Sequence, residues 1–193
     1  IRERTVMHQL ARFSVDQVRA KNVAKHALSI YDSTRDILHS DKGQGRDLLW
    51  AAAMLHACGK HINRSAYHKH SWYLIRNGEL LGYSQSEHLM VSAIARYHRR
   101  SLPKKRHEAW QLLTSRTHRN IVSEMSLILR LAVAIDLRPE PVVSTLNIKI
   151  KERKITFKLF PINKDQNLSL EEWSLKNCAN LVKEVKGKDL IVI

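Results

Sequence analysis

The chain has 193 residues, 44% of them hydrophobic, enough for one domain with a sizeable core. Six glycines and four prolines exclude long disorder, and the two distant cysteines, Cys58 and Cys178, form neither a disulfide framework nor a metal-type motif. Thirty-three lysines and arginines stand against 18 acidic residues, a net charge of +15, so the expected partner is a polyanion.

No run of about 18 apolar residues is present, so no membrane span or membrane partner is expected. No secretory signal is visible, and two reduced thiols fit a cytoplasmic protein. A first residue of Ile rather than Met reads as a piece of a longer protein.

Ser14 followed by Gln17 reads as a capping box that opens a helix near residue 15. Val23, Ala27, Ile30, Tyr31 and Leu38 then recur at helical spacing, and His26 shares their face. Residues 42 to 45 are a loop. The nearly all-apolar run from Leu48 to His56 predicts a buried helix closed by Gly59. Residues 60 to 68 are polar and read as loop, followed by a short helix from His70 to Arg76 that ends at Asn77 and Gly78. Ser84 with Glu87 opens another helix, which places His98 on the face of Val91 and Ile94. A basic helix is expected over residues 105 to 115 and a long helix from Asn120 to Leu137, with Asp136 on the face of Leu129 and Ala132.

After Pro139 and Pro141 the period changes. Residues 146 to 150 and 155 to 159 alternate, with a turn from Lys151 to Lys154, so they form a hairpin. One helix over 169 to 185 and a last strand from Leu190 to Ile193 complete the pattern. The expected fold is mainly α, a helical domain over residues 1 to 138 followed by a small ββαβ unit over 139 to 193.

Five chemistry-bearing side chains fall on predicted inner helix faces: His26, His56, His70, His98 and Asp136. Imidazole and carboxylate suit Zn, Mn, Fe or Ni, and such a set serves phosphoester hydrolysis. Taken singly, a buried histidine is more often a hydrogen-bonded core residue. Their joint inward placement is the argument for a site.

This order of residues resembles the HD superfamily of helical phosphohydrolases, whose metal site joins an earlier His, a His-Asp pair and a later Asp. The segments MLHACGKHIN, HKHSWYLIRNGELLGYSQSE, ARYHRRSLPK and LRLAVAID are more closely similar, in order and spacing, to the C-terminal domain of the exopolyphosphatase / guanosine pentaphosphate phosphatase (Ppx/GppA) family. The opening IRER resembles the segment that closes the preceding domain there, with Arg4 in place of a glycine. The resemblance implies an HD-like domain that assembles as a homodimer, packs with its own N-terminal catalytic domains and lends basic surface to a polyphosphate channel. It also implies that the catalytic domains, with their magnesium, lie outside these residues.

Position 57, directly after His56, is Ala where an HD site needs its carboxylate. The expectation is therefore no bound metal and no cofactor in this domain. The degenerate HD positions His26, His56, His70, His98 and Asp136 are read as framework, with a hydrogen bond or ion pair between His56 and Asp136.

The cations are the second signal. From His56 to Arg76 there are four lysines or arginines and four histidines with no acid, and from Arg96 to Arg119 eight with the single acid Glu108. A solvated face mixes signs, and these segments do not. The expected polyphosphate-binding set is Lys60, Arg64, Lys69, His70, Arg96, Arg99, Arg100, Lys104, Lys105 and Arg106. Single-stranded nucleic acid would need aromatics interleaved with the cations, and Trp110 is the one stacking candidate, so polyphosphate is favoured. No catalytic residue is assigned: Ser71 and Cys58 follow histidine segments but lack a base and an orienting acid. The competing reading is an independent HD-type metal-dependent phosphohydrolase acting on a nucleotide. A stand-alone nucleic-acid or regulatory domain is a third.

Overall fold

The apolar run ending at Leu55 forms the central helix of the molecule, because it is hydrophobic on every side and can be satisfied only by burial. In the computed structural model, which describes residues 1–193, the helices are α1 (Arg2–Arg12), α2 (Gln17–Ser33), α3 (Gln44–Leu55), α4 (Tyr67–Asn77), α5 (Gln85–Arg96), α6 (Glu108–Gln111), α7 (Arg116–Ala134), α8 (Ser169–Lys176) and α9 (Ala179–Lys186). A 3-10 turn spans Cys58–His61, and the strands are β1 (Val143–Lys151), β2 (Lys154–Pro161) and β3 (Asp189–Val192). The fold is mainly α with a small C-terminal sheet. Helix α3 packs against α1, α2, α5 and α7, and Ala51, Ala52 and Ala53 are fully buried there, which lets its neighbours approach closely. No helix is long and apolar enough to cross a membrane.

Helix α1 has no counterpart among the predicted elements. It buries Val6 and Leu10, and its first residue, Arg2, is tied down on several sides. The Arg2 guanidinium donates to Glu87 at 2.8 and 2.9 Å and to the Gly82 carbonyl at 2.9 Å, pairs with Asp47, and lies 4.4 Å over the Tyr83 ring. Helix α2 is capped by Asp16, which accepts from the amides of Val18 and Arg19, rather than by Ser14, whose φ is 53°. The capping box at Ser84 and Glu87 is present at the start of α5.

A tight turn between α3 and α4 sets the position of α4. Gly59 lies so close to the start of that helix that a Cβ there would meet the Tyr67 carbonyl at 2.1 Å and the Ser71 amide at 2.4 Å. Ser71 locks the approach by donating to the His56 carbonyl at 2.6 Å and accepting from the Gly59 amide at 2.9 Å. Helix α4 begins at Tyr67, three residues before the predicted start, directly after Ala66 in the left-handed conformation.

Strands β1 and β2 form the expected hairpin, with Lys151 paired to Lys154, and β3 runs parallel to β2. The buried Ile155, Phe157 and Leu159 alternate along β2. The predicted helix over 169–185 is two helices with a turn at Asn177 and Cys178. A bidentate pair from Arg138 to the fully buried Glu171, at 2.8 and 3.0 Å, ties the end of α7 to α8. The core of both parts is one continuous cluster of 45 buried apolar residues.

Candidate functional site

His56 and His98 meet at the junction of α3, α5 and the 3-10 turn, their rings 5.1 Å apart and edge to face. Each Nδ1–H donates to a carbonyl three residues back, His56 to Ala53 at 2.6 Å and His98 to Ala95. That fixes the tautomer and leaves each Nε2 with a lone pair. The Nε2 of His98 is taken by the Tyr67 hydroxyl at 2.9 Å. The Nε2 of His56 has no partner in the chain and belongs to the wall of a cleft. Burial lowers the pKa of His56 to about 4, and burial together with the neighbouring His56 pushes that of His98 well down, so both rings are neutral near pH 7.

The partner of Asp136 is an arginine rather than His56. Arg19, on the first turn of α2, donates to Asp136 Oδ1 at 3.3 Å, to Oδ2 at 3.1 Å and to the Asp136 carbonyl at 3.1 Å. Asp136 lies just past the end of α7, so this pair stitches α2 to α7 across the mouth of the cleft. Sequence reasoning does not single out Arg19, although a signal is present. Arg19, Val23, His26 and Ile30 stand at i, i+4, i+7 and i+11 and so share one face.

The other predicted positions do not converge here. His26 is buried two turns further along α2 and donates from Nε2 to the Val143 carbonyl at 3.2 Å. Burial holds its pKa near 4 as well. His70 is half-buried, and the histidine on the inner face of α4 is His68. Two residues apart on a helix means nearly opposite faces, so moving the helix start exchanges the two.

A metal site of the HD type would need a divalent cation, and the residues present do not fit one. His98 has no free lone pair, both Asp136 oxygens are held by a guanidinium, and Ala57 offers no donor. No group of three or more His, Cys, Asp or Glu side chains is placed to hold a metal ion. Only His56 offers a nitrogen, and Arg19, Lys60 and Arg64, which also line the cleft, add positive charge to it.

The two basic segments, separated in sequence, come together around α4 and the end of α5. Arg99 and Lys60 lie over the Tyr67 ring at 4.5 and 4.8 Å. Lys60 loses basicity through burial and the proximity of Arg19, Arg64 and Arg99. His68 is lowered to about 4 by burial and by Arg99, Arg96, Lys69 and Arg100, and His107 is lowered by burial and by Arg96, Arg106, Lys104 and Lys69. The same cations recur in these neighbourhoods: Arg99 influences both Lys60 and His68, and Arg96 and Lys69 influence both His68 and His107. Lys105 is exposed between Lys104 and Arg106, and His70 stands beside Lys69 on α4.

None of the nine predicted lysines and arginines of this surface forms an ion pair; the chain's seven ion pairs use other cations. Two arginines of α7 hold the loop that displays them. Arg130 donates to the carbonyls of Tyr97 at 2.8 Å and Arg100 at 3.0 Å, and Arg119 donates to that of Trp110 at 3.1 Å. Trp110 is half-buried, edge-on to Tyr97 and covered by Arg119 at 5.4 Å, so it is not displayed for stacking on a base. Only residues Glu108–Gln111 of the predicted basic helix are helical. The rest is loop, pinned where Tyr97 donates to His107 Nδ1 at 2.8 Å. Cys58 is buried, with its thiol pushed up to about 12 by desolvation, and Ser71 spends its hydroxyl on the turn, so neither is a nucleophile.

The model of Ppx/GppA phosphatase domain III matches residues 1–179. A guanosine-5'-triphosphate,3'-diphosphate pyrophosphatase of Pseudoalteromonas translucida is 39% identical over 104 residues, covering 54% of this chain and 21% of that protein. Proteins of the same name from Pseudoalteromonas atlantica and Vibrio vulnificus are each 28% identical, over 71% and 73% of this chain and 26% and 27% of their own lengths. The chain thus spans about a quarter of the curated relatives it matches. The match over residues 1–179 places this chain in the Ppx/GppA phosphatase family, to whose domain III it corresponds.

Proposed function

We propose that this chain is the polyphosphate-binding and dimerisation domain of an exopolyphosphatase-type enzyme, and that it carries no catalytic centre of its own. The observation that carries the reading is the set of nine lysines and arginines from Lys60 to Arg106 that make no ion pair within the chain. A linear phosphate chain offers charge without bases, and this surface offers nine unpaired cations beside one exposed aromatic, Tyr73 on α4. The parent enzyme would release the terminal phosphate from inorganic polyphosphate or from guanosine pentaphosphate, the second being the substrate class in the relatives' names. Its magnesium-dependent step would lie in N-terminal domains with which this one packs, in a cytoplasmic homodimer.

The alternative, an independent HD-type metal-dependent phosphohydrolase acting on a nucleotide, conflicts with the donor set around His56. An assay of phosphate release from polyphosphate and from guanosine pentaphosphate, with magnesium or manganese added, tests the choice. The 193-residue chain is expected to release none, and rapid turnover would overturn the assignment.

A further inference from the structure

We propose that the cleft between the start of α2 and the Cys58–His61 turn binds a tetrahedral phosphoryl group that carries a proton. The group is either orthophosphate itself or the terminal phosphate of a phosphate chain. Only the second source rests on the polyphosphate reading above.

The cleft has a volume of about 420 Å³, room for one phosphoryl group with its water. Its donors are Arg19, Lys60 and Arg64. Arg19 spends Nε and Nη2 on Asp136 and keeps Nη1 unpartnered, while Lys60 and Arg64 make no ion pair. Two carboxylates line the wall, and Asp16 keeps one oxygen free of any partner and makes no ion pair. Asp136 is held by Arg19, and Asp16 accepts from the amides of Val18 and Arg19. Ala57 removes the charge that would repel an anion, and its methyl leaves the space open.

One wall differs in kind from the rest of the basic surface. His56 presents Nε2 as a lone pair, because its Nδ1–H is committed to the Ala53 carbonyl. A lone pair among cations does not suit a fully deprotonated anion. It does suit a P–OH group, whose other oxygens accept from Arg19, Lys60 and Arg64. A terminal phosphate has a second ionisation near pH 6 and keeps that proton in part at neutral pH. Interior phosphates of a chain have no proton to donate. The cleft is therefore complementary to an end group, while the surface leading to it is complementary to a chain. The crowding of Lys60 by Arg19, Arg64 and Arg99 is a standing repulsion that a bound anion would relieve.

Calorimetric titration of the chain with phosphate and with sulfate at pH 6.5 tests this, since sulfate has the same shape but no proton. Phosphate is expected to bind about tenfold more tightly or better, the cost of leaving one acceptor unpaired. Equal affinities would overturn the proposal. Arg64→Ala, at an exposed position, should weaken phosphate about tenfold, and Lys149→Ala on the outer sheet should leave it unchanged. Tripolyphosphate that displaces orthophosphate while cyclic trimetaphosphate does not would identify the chain end as a ligand. Displacement by neither would identify free phosphate, and displacement by both alike would refute end recognition. Loss of phosphate binding with long-chain polyphosphate still bound would refute this site alone. Phosphate binding without polyphosphate binding would refute the proposed function and leave the site standing.

Discussion

Replacing Arg99, Arg100, Lys104 and Lys105 together with alanine is expected to weaken polyphosphate binding about a thousandfold near 50 mM salt. The slope of log K against log salt should fall by roughly three, close to one for each phosphate no longer neutralised. The reason is that none of these cations is spent inside the protein. Each neutralises a phosphate and releases a counterion in the complex. The same absence of internal ion pairs means that the fold should tolerate the change. Within the protein the substitutions remove only the stacking of Arg99 on the Tyr67 ring, about 1 kcal/mol at most. Titrations at several salt concentrations measure both quantities, and an unchanged slope would show that the phosphate chain lies elsewhere.

Acid should unfold this protein well before its carboxylates are protonated. Burial holds His26, His56 and His68 near pKa 4 and His98 well below its ordinary value, against about 6.5 in the unfolded chain. Such groups bind a proton on unfolding, so their contribution to stability is full above pH 6.5 and is lost as pH falls toward 4. At pH 5 each group held near 4 contributes on the order of 2 kcal/mol to the loss. Near His56 the carboxylate of Asp136 opposes Lys60 and Arg19, whereas at His68 the cations Arg99, Arg96, Lys69 and Arg100 add to the effect of burial. Urea unfolding at pH 7.5 and pH 5.0 is expected to show a drop of several kcal/mol. Equal stabilities would mean that these imidazoles are hydrated and titrate normally.

Much of the fold is legible because its strongest signals are local. The apolar run before His56 can only be a buried helix, Ser84 with Glu87 is a capping box in the structure, and the alternation on either side of Lys151 to Lys154 sets the hairpin register. What escapes is phase. The polar stretch before His70 conceals that α4 begins at Tyr67, so His70 reads as the inner residue in place of His68. The spacing of His68, Ser71 and Ile75, three and seven apart, is the clue. The cleft is half legible. His56 and Asp136 stand out as inward-facing and Ala57 as the missing donor. The residue that answers for all three is Arg19, on the opposite side of the cleft and 117 positions from Asp136. Nothing local in a sequence pairs a charge with a partner so far away. The grouping of the basic segments has a similar limit, since it depends on α4 packing against α5 and on Arg130 holding the carbonyls of Tyr97 and Arg100.

The histidines and the cations therefore play different parts. The imidazoles of His26, His56 and His98 are neutral framework at the junction of helices, and Arg19 holds the carboxylate of Asp136. The surface above them gathers charge that the protein does not neutralise. The most direct measurement of that claim is equilibrium binding of the 193-residue chain to long-chain polyphosphate, beside a single-stranded oligonucleotide with the same number of phosphates. Polyphosphate is predicted to bind more tightly, with an affinity that falls steeply as salt rises. No binding, or an oligonucleotide bound equally well or better, would contradict it.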